Sequence, residues 1–96
     1  MNKYEAMIII KPDLTEADRK TLFGQIADTI AKSNGEVAQA AIWAEKRKMW
    51  FPIKKFHEGV YYLVNFNVKP EAIAKIDHAL KLNEDILRVL ITKLEK

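Results

Sequence analysis

The chain has 96 residues, of which 49% are hydrophobic and 30% charged, with a formal net charge of +3 and no cysteine. This length suits one domain with its own core, so we expect residues 1–96 to form a single domain. The absence of cysteine excludes disulfides, cysteine-ligated zinc and cysteine nucleophiles. No signal peptide, transit segment or bilayer-length apolar run is found, so no membrane partner is expected. The mildly basic charge is compatible with nucleic acid without being diagnostic.

The first element is predicted to be a central strand. Apolar residues of segment 4–10 fall on both faces. One face carries Tyr4, Ala6, Ile8 and Ile10, and the other carries Glu5, Met7 and Ile9. A strand that is apolar on both faces is typical of the middle of a sheet, with something lying on each side.

An amphipathic helix follows, with Thr15 as its predicted N-cap. Asn34-Gly35 is predicted to end it, with Gly35 in the left-handed conformation. Gly24, in the middle of the helix, is expected to permit close approach of the helix to the sheet. The apolar stripe at i+4 spacing is formed by Leu22, Ile26 and Ile30.

Two strands are predicted next, over 36–53 and 60–68, with a turn over 54–59. The first is irregular around Ala40–Ile42, which predicts a β-bulge or a change of partner there. Pro52 cannot donate a ladder hydrogen bond, so this strand is expected at a sheet edge.

A second helix is predicted to begin at Pro70, followed by a turn at Asn83–Asp85 and a last strand over 86–92. The order strand, helix, two strands, helix, strand predicts an α+β fold, the ferredoxin-like β-α-β-β-α-β sandwich. Its sheet is expected to be four-stranded and antiparallel, in the order 4-1-3-2, with both helices on one face.

The other face of this sheet is then left open. The alternation places nine side chains there: Glu5, Met7, Ile9, Tyr61, Leu63, Asn65, Arg88, Leu90 and Thr92. Four of them, Met7, Ile9, Leu63 and Leu90, are more apolar than solvent exposure favours, which indicates a protein-binding surface.

The stretch 42–55 is the most distinctive in the chain. It holds both tryptophans, four lysines and one of the three arginines. Cations beside aromatic rings suit ribose-phosphate and unstacked bases, although an edge strand also carries lysines to prevent edge pairing. Phe51 shares a face with Met49 and Ile53 and is expected to pack, whereas Trp43 and Trp50 are interpreted as anchors for a protein partner.

Catalytic chemistry is not indicated. His57 and His78 lie on separate elements, and no nucleophile, carboxylate cluster or Gly-rich phosphate loop accompanies them. The start of the third strand, Gly59–Leu63, is a poor match to the motif of RNA-recognition modules. We therefore predict no enzyme activity, metal, cofactor or small-molecule substrate.

Four short motifs follow one another along the chain: Tyr4-Glu5, Asn34-Gly35, Phe51–Lys55 and Leu82-Asn83-Glu84. On these residues the chain resembles the bacterial small-subunit ribosomal protein number six, the S-six family. The resemblance implies a structural protein that binds the central domain of 16S ribosomal RNA together with ribosomal protein number eighteen. It also marks departures, since the family usually has glycine at the position of Glu45 and a small residue followed by tyrosine at Trp50-Phe51.

The resemblance further implies which residues make the contacts. The RNA-binding positions would be Lys3, Tyr4, Arg47, Lys54, Lys55, Lys81, Arg88 and Lys93. Met7, Ile9, Trp43, Trp50, Leu63 and Leu90 are the predicted protein-binding residues.

Two other functions fit the same fold. One is a homo-oligomeric regulatory or small-molecule-binding module that pairs through the open face. The other is a small enzyme such as an acylphosphatase, which would need a phosphate-cradling loop with an arginine where this chain has Lys11-Pro12-Asp13.

Overall fold

The computed structural model describes residues 2–94, apart from the side chain of Trp50. Four strands and two α-helices follow one another along this range: β1 (Asn2–Ile10), α1 (Glu16–Lys32), β2 (Glu36–Ile53), β3 (Phe56–Val68), α2 (Ile73–Lys81) and β4 (Ile86–Lys93). The strands form one sheet in the order β2-β3-β1-β4, and every neighbouring pair is antiparallel. The predicted ferredoxin-like topology is confirmed, including the position of β2 at an edge.

Helix α1 begins and ends through local hydrogen bonds. The backbone N–H of Asp18 donates to the Thr15 hydroxyl at 3.1 Å, which caps the N-terminus. At the C-terminus Asn34, with φ of 62°, takes the left-handed conformation that had been expected for Gly35. Gly35 is required for space instead, because a Cβ there would lie 2.7 Å from Cγ2 of Ile30.

The second helical segment starts with a single 3-10 turn at Pro70–Ala72, which leads into α2. Proline suits this first turn because its missing N–H would have no partner inside the helix. Ile76 and Leu80 are the buried residues of α2. Together with the buried stripe of α1 they cover one face of the sheet.

The core lies between the two helices and this face. It contains the even-numbered side chains of the two central strands: Tyr4, Ala6, Ile8 and Ile10 of β1, and Val60, Tyr62, Val64, Phe66 and Val68 of β3. The alternation leaves the odd-numbered side chains on the opposite, open face, as predicted.

Gly24 does not have the packing role that the sequence suggested. It is exposed, and a Cβ built on it would meet nothing within 4 Å. It therefore weakens α1 through its backbone entropy and brings no compensating contact.

Replacing Gly24 by alanine is expected to raise the free energy of unfolding by about 0.5–1 kcal/mol, because alanine loses less backbone entropy in a helix. Urea denaturation measures the difference. Gly35→Ala provides the contrast, since its Cβ would clash with Ile30 and should lower stability. Unchanged or reduced stability of Gly24→Ala would show that this glycine has another role.

Candidate nucleic-acid interface

The β2–β3 hairpin is longer than the sheet that supports it. Strand β1 pairs with β3 only as far as Val60, opposite Ile10. Beyond that point β2 and β3 pair with each other alone, from Arg47↔Gly59 to Ile53↔Phe56. This two-stranded projection, residues 47–59, is here called the ribbon. It carries most of the basic and aromatic stretch past the end of the sheet.

Irregular pairing shapes the ribbon. The register shifts between Ile42 and Ala44 and between Ala44 and Arg47, just before the ribbon, and again between Lys48 and Ile53 within it. The first shift lies close to the predicted irregularity. Such bulges bend a strand and increase its twist, so the ribbon departs from the plane of the sheet.

The ribbon ends in a two-residue turn, Lys54-Lys55, rather than in the longer 54–59 turn that was predicted. Both residues have positive φ, 48° and 72°. A hairpin turn with two left-handed residues normally uses Asn-Gly, and a residue with a Cβ loses roughly 1–2 kcal/mol in that conformation. The tip therefore holds two exposed lysines in an unfavourable backbone conformation.

Arg47 is held by two aromatic rings at the base of the ribbon. Its guanidinium carbon lies 4.8 Å from the centroid of the Trp43 ring and 5.9 Å from that of Tyr61. The two rings lie 5.8 Å apart at an interplanar angle of 47°. None of the salt bridges found within residues 2–94 involves Arg47. Its N–H groups can therefore bind an external anion in a bidentate manner.

Glu45 joins the start of this region to helix α1. Arg19 donates from Nη1 to one carboxylate oxygen at 3.0 Å, and its Nη2 lies 2.9 Å from the other. This hydrogen bond holds the pKa of Glu45 below its ordinary value, against the opposing effect of desolvation, and the charges of Arg19 and Lys46 act in the same direction. Glu45 thus links β2 to helix α1.

Three cations from separate elements converge beside β4. Lys54 at the ribbon tip, Lys81 at the end of α2 and Arg88 on β4 line one groove of 380 Å³, here called the basic groove. Segment 86–90 of β4 forms the rest of it. Lys81 also pairs with Asp77 at 2.9 Å, but its side chain is 60% exposed and such a surface pair is weak.

The other predicted RNA-binding residues lie elsewhere. Lys3 and Lys93 are exposed near the start of β1, roughly 20 Å from the ribbon end of that strand. Lys55 is exposed at the tip but does not line the basic groove. Tyr4 requires a correction, because its ring is only 6% exposed and stacks on Phe66 within the core.

The predicted protein-binding residues form an incomplete row across the open face. Met7 lies opposite Leu63 on one side and opposite Leu90 on the other, so three strands contribute to one apolar row. Leu90 is 47% exposed. Ile9 requires a correction: it is 5% exposed, because its neighbours and the ribbon cover it.

Trp43 is 51% exposed and accessible beside Arg47. The side chain of Trp50 lies outside the described residues.

Three contributors were missed by sequence reasoning. The sequence places Tyr61 on the open face but not beside Arg47, and it assigns no role to Arg19. Phe51 was expected to pack and is instead 76% exposed. The parity of β2 does place it beside Met49 and Ile53 on one face, but parity gives no information on whether another element covers that face.

Other kinds of site are not found within residues 2–94. These residues contain no group of three or more His, Asp or Glu side chains that could hold a metal ion. None of the helices in this range is both long enough and apolar enough to cross a bilayer.

The fold alone does not define a function, but its basic, aromatic projection is the kind of surface that nucleic-acid-binding proteins present. The family model described as Ribosomal protein S6 matches residues 3–93. The small ribosomal subunit protein bS6 of Dictyoglomus turgidum is 43% identical over 96 residues, which cover 100% of this chain and 98% of that protein. The chain belongs to the ribosomal protein S6 family.

Two further comparisons agree. The bS6 protein of Caldanaerobacter subterraneus subsp. tengcongensis is 36% identical over 93 residues, which cover 97% of each chain. The crystal structure of 30S ribosomal protein S6 from Thermotoga maritima shares the fold with a TM-score of 0.86 at 24% identity, over 97% of this chain and 87% of that one. The family has a structural role in translation and is not enzymatic. This confirms the expected structural role and the prediction that the chain is not an enzyme.

Replacing Glu45 by glutamine is expected to lower the free energy of unfolding by about 0.5 kcal/mol at pH 7, a value that allows for solvent screening, because the Glu45 side chain is 57% exposed. The folded-state pKa of Glu45 lies below its ordinary value of 4.5, so the carboxylate stabilises the fold above that pH. The contribution is lost as the pH falls through the folded-state pKa.

Urea denaturation of the unsubstituted protein and of the Glu45→Gln variant, at pH 7 and at pH 3, measures this contribution to stability. Glu84→Gln is the control, since this exposed glutamate forms none of the salt bridges found within residues 2–94. An equal loss of stability at both pH values would contradict the role of the Arg19 pair.

Replacing Lys54-Lys55 by Asn-Gly is expected to raise the free energy of unfolding by about 1–2 kcal/mol, because these residues adopt the left-handed conformation at lower cost. Thermal and urea denaturation measure the change. Gln-Gln serves as the control, because it removes the two charges and keeps side chains that disfavour the left-handed conformation. Equal effects of Asn-Gly and Gln-Gln would point to charge repulsion at the tip rather than to backbone conformation.

Proposed function

We propose that this chain is a structural constituent of the small ribosomal subunit that binds the central domain of 16S ribosomal RNA jointly with ribosomal protein S18, number eighteen, in the bacterial cytoplasm. The observation that carries the proposal is the basic groove. Its three cations come from positions far apart in sequence, and the family resemblance implies RNA contact for each of them.

The mechanism is phosphate neutralisation on a rigid support. Lys54, Lys81 and Arg88 displace counterions from the RNA backbone, which gives affinity that depends on salt and little on base sequence. Arg47, oriented by two rings, adds a directional contact outside the groove. Lys3 and Lys93 are proposed to contact a separate part of the RNA, because the sheet holds them far from the ribbon.

A protein partner would use the open face. The row Leu63–Met7–Leu90 offers apolar area beside the basic groove, so a protein bound there would lie next to the RNA. The formal net charge of only +3 favours joint binding, in which the partner supplies further cations. Trp43, half-exposed at the margin of this face, is proposed to extend the same contact.

Filter binding to central-domain 16S RNA, with and without S18, tests the proposal. We expect weak binding by the chain alone and tight binding with S18 present. Tight binding by the chain alone, or none with S18, would contradict joint binding. A stable homodimer without RNA affinity would instead support the oligomeric regulatory module.

Replacing Lys54, Lys81 or Arg88 singly by glutamine is expected to weaken the joint complex and to reduce the slope of log affinity against log salt by about 0.7–0.9 for each lost phosphate contact. Lys32→Gln is the matched control, since Lys32 is exposed in the last turn of α1 and does not line the groove. An unchanged slope for all three variants would exclude the groove as the RNA contact.

Leu90→Gln is expected to weaken direct binding of S18, measured without RNA, by about tenfold, because a half-exposed leucine in the apolar row loses its buried area in the complex. Leu82→Gln is the control, as Leu82 is 70% exposed but lies outside the row. Equal effects of the two substitutions would argue against the open face as the partner surface.

A further inference from the structure

A second, smaller cavity lies between the ribbon and the end of the sheet. Its volume is 140 Å³, and it is lined by Ile9, Met49, Phe51, Ile53, Tyr61 and Arg88. Five of the six side chains are apolar or aromatic, so the cavity is an apolar slot with one cation at its margin. It is called the slot below.

The register of the sheet explains the floor of the slot. Ile9 of β1 pairs with Tyr61 of β3 on one side and with Arg88 of β4 on the other. These three side chains therefore stand in one row on the open face. Gly59 allows Ile9 to pack closely against β3, because a Cβ there would lie 2.5 Å from Cγ2 of Ile9 and 3.7 Å from Sδ of Met49.

The wall is formed by alternate residues of β2. Met49, Phe51 and Ile53 share one face of the strand, and the twist of the ribbon turns this face toward the row. Phe51 is 76% exposed, so its packing against the rest of the chain contributes little to folding. A large aromatic ring that is exposed beside a preformed cavity is available to stack on a ligand.

The slot adjoins the basic groove through one shared side chain. Arg88 lines both cavities, whereas Lys54 and Lys81 line only the groove. The cavity on one side of Arg88 is thus lined by further cations, and the cavity on its other side is apolar. This combination matches a ligand with a phosphate at one end and a flat, weakly polar ring at the other.

We propose that the slot and the basic groove together form a subsite for one unpaired nucleotide of RNA, with the base against Phe51 and the phosphate among Lys54, Lys81 and Arg88. The inference rests on the proposed function and specifies what kind of RNA it recognises. A paired base is stacked within a helix and cannot enter the slot, whereas a nucleotide in a bulge or loop can. An apolar side chain of a protein would fill the slot but leave the adjoining cations without an anion.

Adenosine 5′-monophosphate and ribose 5-phosphate are the probes, because they share the phosphate and ribose and differ only in the base. Binding to the full chain is followed by NMR titration, with the methyl signals of Ile9 reporting the ring current of a base above the slot floor. We expect the base to increase affinity by about fivefold or more, the lower end for base stacking on an aromatic ring.

Variants separate the two halves of the subsite. Phe51→Ala is expected to reduce the affinity for adenosine 5′-monophosphate to that for ribose 5-phosphate, and to leave the latter unchanged. Arg88→Gln should weaken both. Leu82→Ala, which removes an equally exposed apolar side chain elsewhere, should change neither.

The proposal is overturned if the two probes bind equally or if neither binds. It is also overturned if the base shifts signals of Trp43 and Arg47 instead of Ile9, since the base would then occupy the other aromatic cluster. These experiments use neither 16S RNA nor S18. Failure of the nucleotide subsite is therefore distinct from failure of joint ribosomal RNA binding, which the salt dependence of the groove variants reports.

Discussion

The difference in length between β1 and the β2–β3 hairpin creates the surface proposed to bind RNA. Strand β1 ends at Ile10, which pairs with Val60, while the hairpin continues to Lys54-Lys55. Because no third strand accompanies the extension, bulges can twist it without disrupting the sheet. The twist places Lys54 beside β4 and turns the apolar face of the ribbon toward Arg88. A hairpin that ended with β1 would leave neither the basic groove nor the slot.

The aromatic contacts of Arg47 matter more for its orientation than for stability. Two exposed cation–π contacts stabilise by roughly 1–2 kcal/mol in total, whereas ordering an arginine side chain costs up to about 2 kcal/mol in rotamer entropy. These terms nearly cancel, so the cluster of Trp43, Arg47 and Tyr61 adds little to folding. Its consequence is that the entropy of fixing the guanidinium is already lost before an anion arrives, which strengthens binding.

The topology and the two faces of the sheet were predictable because they depend on alternation and element order. Side-chain parity even predicted the burial of Tyr4, which shares a face with Ala6 and Ile8. Its assignment to RNA came from family resemblance alone and ran against that parity. A residue on the helix-covered face of a central strand is not accessible to RNA.

The remaining features could not be predicted from local sequence patterns, because they depend on unusual backbone conformations or on contacts between residues far apart in sequence. Lys54-Lys55 lacks the Asn or Gly that would signal a tight turn, so the extent of the hairpin was underestimated. The Arg19–Glu45 pair joins residues 26 positions apart, and its geometry exists only after α1 packs on the sheet. Phe51 is a third case. Its face of β2 was predicted correctly, but its exposure depends on the extension of the ribbon past the end of β1.

Local charge density, rather than net charge, determines where the proposed RNA contacts of this chain lie. Segment 46–55 contains five basic residues and no acidic one, and the preceding Glu45 is already paired with Arg19. At physiological salt, exposed charges interact over roughly 8 Å, so cations in the groove reinforce one another while Lys3 and Lys93 act separately. The apolar row Leu63–Met7–Leu90 runs across the open face between these two regions. The same alternation that covers one face of the sheet with helices thus leaves the other divided into a basic end, an apolar middle and a second basic end, an order in which RNA and a protein partner can bind side by side.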